Sequence, residues 1–158
     1  MAKKTNQLLA YIISKHPHIS VTSLMKLSYL IDLVNIKKTN KKISDFQYAR
    51  YKYGPFDHKI YNFLKELVDA QIIIEDADFT PFGDEYVIYQ FNDKNQEEIF
   101  EELSEPEKET IDEVVLSLNG LGAKALVELA YRTKPMKKIG ATIGGDENLN
   151  VILDLHTN

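Results

Sequence analysis

Apolar positions recur at helical spacing at the start of the chain, switch to alternation near residue 44, and later return to helical spacing. Leu8, Leu9, Ile12 and Ile13 fall on one side of a helix predicted over Thr5–Lys15. Pro17 ends it, because the residue before a proline is pushed out of the helical region. A second helix is predicted from near Thr22, with Ser20, Thr22 or Ser23 as its cap. Its stripe is Leu24, Leu27, Leu30, Ile31 and Val34, and the run Lys37–Lys42 (KKTNKK) reads as a polar loop after it. Ser44–Tyr53 reads as extended, with Phe46 and Tyr48 on one face and Tyr51 and Tyr53 on the other. Pro55 favours an extended Gly54, and Asp57 is a candidate N-cap for a helix to about Ala70, with Ile60, Leu64, Leu67 and Val68 inward.

Two strands follow, Ile72–Glu75 and Glu85–Phe91, joined by a turn built on Pro81 and Gly83. The remainder is predicted helical. Asn95–Leu103 forms a short helix, and Ser104 opens another whose Glu107 stands at the capping-box position. Ile111, Val114, Val115 and Leu118 form its stripe, and Gly120 and Gly122 mark its end. Leu126, Leu129 and Ala130 begin a further short helix that Pro135 stops. GATIGGDE reads as a turn, and Asp146 caps a last helix bearing Leu149, Ile152 and Leu153. The expected fold is one mainly helical α+β domain over residues 1–158. Its N-terminal part is winged-helix-like with a small antiparallel sheet, and C-terminal helices follow.

Charge changes this picture in one respect. Through Lys65 the chain holds twelve Lys or Arg against Asp32, Asp45 and Asp57, a balance of +9. The rest balances at −14 within a net charge of −5. Such a split marks either a nucleic-acid face on one half or two solvated faces. The chain has no cysteine, which excludes disulfides and thiolate chemistry, and a cytoplasmic protein is expected. No apolar run approaches the roughly 20 residues of a membrane span. The N-terminus starts basic but has no small-residue cleavage site, so a first helix is expected there rather than a leader.

The residues that carry catalysis elsewhere do not assemble into a motif. His16 and His18 flank a proline, while His58 and His156 lack a second ligand at metal spacing. The acids from Glu97 to Glu113 recur on helix faces expected to be solvated. GATIGGDE lacks the lysine of a phosphate-binding loop, and no serine sits in a nucleophile elbow. The expectation is a non-enzyme with no cofactor and no metal.

The segment LMKLSYLIDLVNIKKTNKKISDFQYARYKYGPFDHKIYNFLKEL resembles the Panacea domain family, the SocA-like antitoxins also described as phage-associated proteins. The matching positions are Leu24, Lys26, Leu27, Tyr29, Leu30 and Asp32, then Tyr51, Tyr53, Gly54 and Pro55. Leu103, Ser104 and Glu107 are similar to the family's acidic helix start. LAYRTKPM is similar to its C-terminal motif, with Tyr131 in place of His and Met136 in place of Trp. The resemblance implies an antitoxin-like module that neutralises a cognate protein toxin by contact, or that delivers it to a ClpXP-type protease as an adaptor.

The aromatic corner itself reads in two ways. Tyr51, Tyr53, Pro55, Phe56 and His58 either pack as core or present an interface, since tyrosine offers a large apolar area with a hydrogen-bonding tip. The alternative function is a winged-helix DNA-binding regulator, for which Lys37, Lys38, Lys41 and Lys42 supply charge. Glu75, Asp76, Asp78, Asp84 and Glu85 on the presumed wing argue against duplex binding by the isolated chain.

Overall fold

The computed structural model describes residues 3–93 and 97–157. Its centre is a long helix buried on most of its circumference, around which the other elements pack. α1 (Lys4–Lys15) buries Leu8, Leu9, Ile12 and Ile13 and ends at His16, which is extended as the following proline requires. β1 (Ile19–Ser20) leads directly into the central helix, α2 (Val21–Thr39). Ser20 is the N-cap, its Oγ accepting from Ser23 N at 3.2 Å.

The KKTNKK run is not wholly a loop. α2 continues through Lys37 and Lys38 to Thr39, because cations are favoured at the negative end of a helix. Asn40, left-handed at φ 64°, then closes it by donating its N–H to Ile36 O at 2.7 Å.

Ser44–Tyr53 is extended as strand only near its end. β2 (Ala49–Tyr51) turns at Lys52 and Tyr53 and pairs antiparallel with β3 (Gly54–Phe56), Ala49 opposite Phe56 and Tyr51 opposite Gly54. The chain therefore reverses before the Gly-Pro pair, which forms the return strand. Gly54 has φ +102°, so it is not in the extended conformation expected of a residue before proline. α3 (Ile60–Asp69) starts two residues later than expected, with Lys59 rather than Asp57 at its N-cap. Asp57 caps the turn ahead of it, accepting from Lys59 N at 2.9 Å through Oδ1 and from Gln47 N at 2.8 Å through Oδ2.

β4 (Ile73–Phe79) and β5 (Glu85–Phe91) form the expected hairpin, and β1 joins the free side of β5 to give the antiparallel order β1-β5-β4. A short 3-10 turn (Glu97–Phe100) stands in part of the predicted Asn95–Leu103 helix, and Asn95 itself lies outside the described residues. α4 (Glu105–Ser117) opens with the full Ser104–Glu107 capping box. α5 (Ala123–Tyr131) ends before Pro135, which instead sits in the first turn of α6 (Lys134–Lys138), where its missing N–H costs nothing. The architecture is mainly helical α+β.

The predicted last helix does not form. Asn148 and Asn150 take positive φ, and the chain then runs along β2 as a strap. Arg50 N donates to Val151 O at 2.8 Å, Asn150 N to Arg50 O at 2.7 Å and Leu153 N to Tyr48 O at 2.9 Å. Leu153 and Leu155 are buried while Leu149 and Ile152 stay exposed. Pairing with β2 overrides the helical spacing.

Candidate functional site

The β2–β3 hairpin sits on three buried polar side chains. Asp32, from the middle of α2, is fully buried and accepts four hydrogen bonds. Oδ1 takes the N–H groups of Ile43 (2.8 Å) and Ser44 (3.2 Å), and Oδ2 takes Ser44 Oγ (2.5 Å) and the Tyr48 hydroxyl (2.7 Å). Burial raises its pKa, and those donors oppose the rise. The carboxylate thereby fixes residues 43–48 against α2.

Arg50 is fully buried without a carboxylate partner among the described residues. Its Nη1 donates to Tyr51 O at 2.6 Å, and its Nη2 donates to Thr142 O at 3.0 Å and Gly145 O at 2.8 Å. The guanidinium lies 5.3 Å from the Tyr131 ring centroid, and Nε has no hydrogen-bond partner among the described residues. Arg50 thus ties the hairpin to the C-terminal turns.

Lys26, one turn before Tyr29 on α2, is the third. It is buried, its Nζ donates to Pro55 O at 3.0 Å, and it stands 5.4 Å from the Phe56 ring centroid. Desolvation lowers its pKa to about 8. Gly54 sits above it at φ +102°, a backbone that L-residues rarely adopt; the space itself would take a Cβ, which would meet Lys26 Cε at 3.5 Å and Tyr131 Cε2 at 3.4 Å in ordinary contact.

On this base the five predicted residues come together at one corner. Pro55 is buried and contributes its carbonyl, Tyr51 and Phe56 are half-buried, His58 is exposed, and Tyr53 is 61% exposed at the turn. The rings meet edge to face: Tyr51 to His58 at 4.9 Å, Phe56 to His58 at 5.2 Å and Tyr51 to Phe56 at 6.3 Å between centroids. Tyr61, on the first turn of α3, lies 6.0 Å from Phe56 and completes the wall. They enclose an open cleft of about 260 Å³ that reaches Lys26.

Sequence reading did not place Lys26 or Tyr61 in the site. Lys26 was among the family-matching positions, and its place between Met25 and Leu27 in an apolar helix was a further signal. Tyr61 is brought to the corner by the turn ahead of α3, its N–H donating to His58 O at 3.2 Å.

A second, larger groove of about 750 Å³ lies among α2, α4 and the α5–α6 turn, lined by Leu33, Val34, Leu118, Leu129 and Pro135. It contains none of the predicted site residues. No helix among the described residues is long and apolar enough to cross a membrane.

A family model described as antitoxin SocA-like, Panacea domain, matches residues 24–135. The matched span begins at Leu24, two residues before Lys26, and takes in the whole corner. No curated protein matches the chain, and no solved structure does.

Proposed function

The chain belongs to the SocA-like antitoxin family that carries the Panacea domain, and from that premise we propose that it neutralises a partner toxin by direct contact through the β2–β3 corner. The observation that carries the reading is the corner's construction. Exposed and half-exposed rings are mounted on a hairpin whose base is fixed by Asp32, Arg50 and Lys26. Rigid aromatic side chains lose little entropy on binding, which makes them efficient anchors. The chain acts as a binding module and not as a catalyst.

Charge supports a protein partner over a DNA duplex. The β4–β5 hairpin bears Glu75, Asp76, Asp78, Asp84 and Glu85. On α3, Lys65 pairs with Asp69 at 2.8 Å, which leaves little net charge for phosphates.

The test replaces Tyr53 and Phe56 singly by alanine and measures melting temperature together with rescue of cells from the cognate toxin. Loss of a central aromatic anchor weakens binding by about thirtyfold or more. Tyr53→Ala is expected to melt normally and lose rescue. Full rescue by both variants would move the interface away from the corner. Repeating the assay in cells without the ClpXP-type protease separates blocking, which persists, from delivery, which fails.

A further inference from the structure

An ammonium group has three N–H donors, and burying one without a counter-charge is costly unless something compensates it. Lys26 Nζ uses one donor on Pro55 O, and no carboxylate lies within ion-pair distance among the described residues. The neighbouring Phe56 ring offsets only part of the cost. A methionine would fill the same space between Met25 and Leu27 without that penalty.

The walls of the cleft repeat the imbalance. The ionisable side chains lining it are Lys26, Lys52, His58 and three tyrosines, with no Asp or Glu among them. Asp57, the nearest acid in sequence, is turned to the backbone amides of Gln47 and Lys59. The cleft is therefore cationic at its floor and aromatic at its sides. Its size, about 260 Å³, is just below the range of roughly 300–1,000 Å³ typical of small-molecule pockets, which suits a single side chain or a small acid.

We propose that this cleft is a binding site for a carboxylate carried on a flat or apolar group, with Lys26 Nζ as the charge partner and the rings of Tyr51, Phe56, His58 and Tyr61 as the walls. The source of the carboxylate rests on the reading of the corner as the toxin interface: an acidic residue or chain end of the toxin supplies it. An incoming carboxylate takes the unused N–H donors and returns a counter-charge to a group that folding has stripped of water. The neutral faces of the same group lie against the rings.

The probe is benzoate, titrated into the whole chain while the ring protons of the four wall residues are followed by NMR. Benzamide, the same shape without the charge, is the control. Benzoate is expected to shift those rings saturably and to bind about tenfold tighter than benzamide or more. Lys26→Met should reduce benzoate to the benzamide level. Equal affinity for the two probes overturns the proposal, as does a folded Lys26→Met protein that keeps the benzoate preference. Should that variant fail to fold, the ratio of the two probes on the wild-type chain decides alone. Displacement of benzoate by the toxin identifies the toxin as the source. Undiminished benzoate binding to the toxin complex leaves the carboxylate site standing and removes the toxin from the corner.

Discussion

Two antiparallel hairpins among the described residues are built on opposite plans. The β2–β3 hairpin is only three residues on each side, yet buried polar side chains grip it from below and the C-terminal strap pairs with its outer strand. The β4–β5 hairpin is seven residues on each side; β1 and the core hold its base through Ile73, Ile88 and Tyr89, and its outer half is held by its own ladder. Beyond Ile73 every residue of β4 is exposed, and Phe82 at the turn is 93% exposed. Its turn is well formed, with Thr80 Oγ1 accepting from Phe82 N and Asp84 N and with Gly83 at φ +89°. Length is therefore no guide to which hairpin the fold depends on. The short one is placed throughout by long-range contacts, whereas the outer half of the long one is specified locally.

The sharpest way to break this contrast is to remove Asp32. Alanine there leaves two backbone N–H groups, the Ser44 hydroxyl and the Tyr48 hydroxyl without their buried acceptor. The expected cost is about 3–5 kcal/mol, a fall in melting temperature on the order of 10 °C for a chain of this size. Asp76→Ala, on the exposed hairpin, should change stability by no more than about 0.5 kcal/mol. Thermal melts of the two variants decide the matter, and similar losses would erase the distinction between the hairpins.

Lys26→Met probes the same base from the opposite direction. The folded-state pKa of about 8 lies below the ordinary value of 10.5, so the cost of burying the charge is fully present below pH 8. Between about pH 8 and 10.5 the unfolded chain holds a proton that the folded chain has released, and stability therefore rises with pH through that window. Relative to Lys26→Met, the wild-type chain should gain roughly 2 kcal/mol between pH 7.5 and 9.5. Denaturant titrations at those two pH values measure it. The window stops short of the tyrosines: burial raises Tyr29 and Tyr89 to about 12, and groups raised in this way cost stability once the pH passes their unfolded value near 10. A parallel pH response in the two proteins would show that Lys26 is not held as a desolvated cation. A variant that is more stable at pH 7 yet fails in rescue would place Lys26 among residues kept for binding at the expense of stability.

What the sequence made legible follows the same division. The α4 capping box and the β4–β5 hairpin were readable because their signals lie within a few residues of each other. The stripe of α2 was readable from Leu24 to Val34, but its last turn was not, since lysines at a helix end look like loop. β2–β3 escaped because its Lys52-Tyr53 turn carries none of the Asn-Gly or Asp-Gly chemistry that announces a tight hairpin. The strap escaped for a deeper reason. Its course depends on Arg50, about a hundred residues away, and no local pattern encodes that pairing. At the corner the aromatic residues were visible by type, whereas Lys26, though among the family-matching positions, could not be placed beneath them because a lone charge in a helix is ordinarily solvated.

The smallest expected effect sharpens the comparison most. Phe82 contributes almost nothing to the core, so Phe82→Ser should leave the melting temperature unchanged within the equivalent of about 0.5 kcal/mol. If the toxin binds at the β2–β3 corner, rescue should also be unchanged, and the residue is a solvent-facing turn ornament. An exposed phenylalanine among acidic side chains is nevertheless what an anchor for a basic, partly apolar surface would look like. The two outcomes separate on one measurement, the toxin affinity of Phe82→Ser set beside that of Phe56→Ala. A loss confined to Phe56→Ala keeps recognition on the gripped hairpin. A loss of about thirtyfold in Phe82→Ser with normal melting would transfer it to the free one. In that case the rigid base under β2–β3 would be explained by the carboxylate site alone.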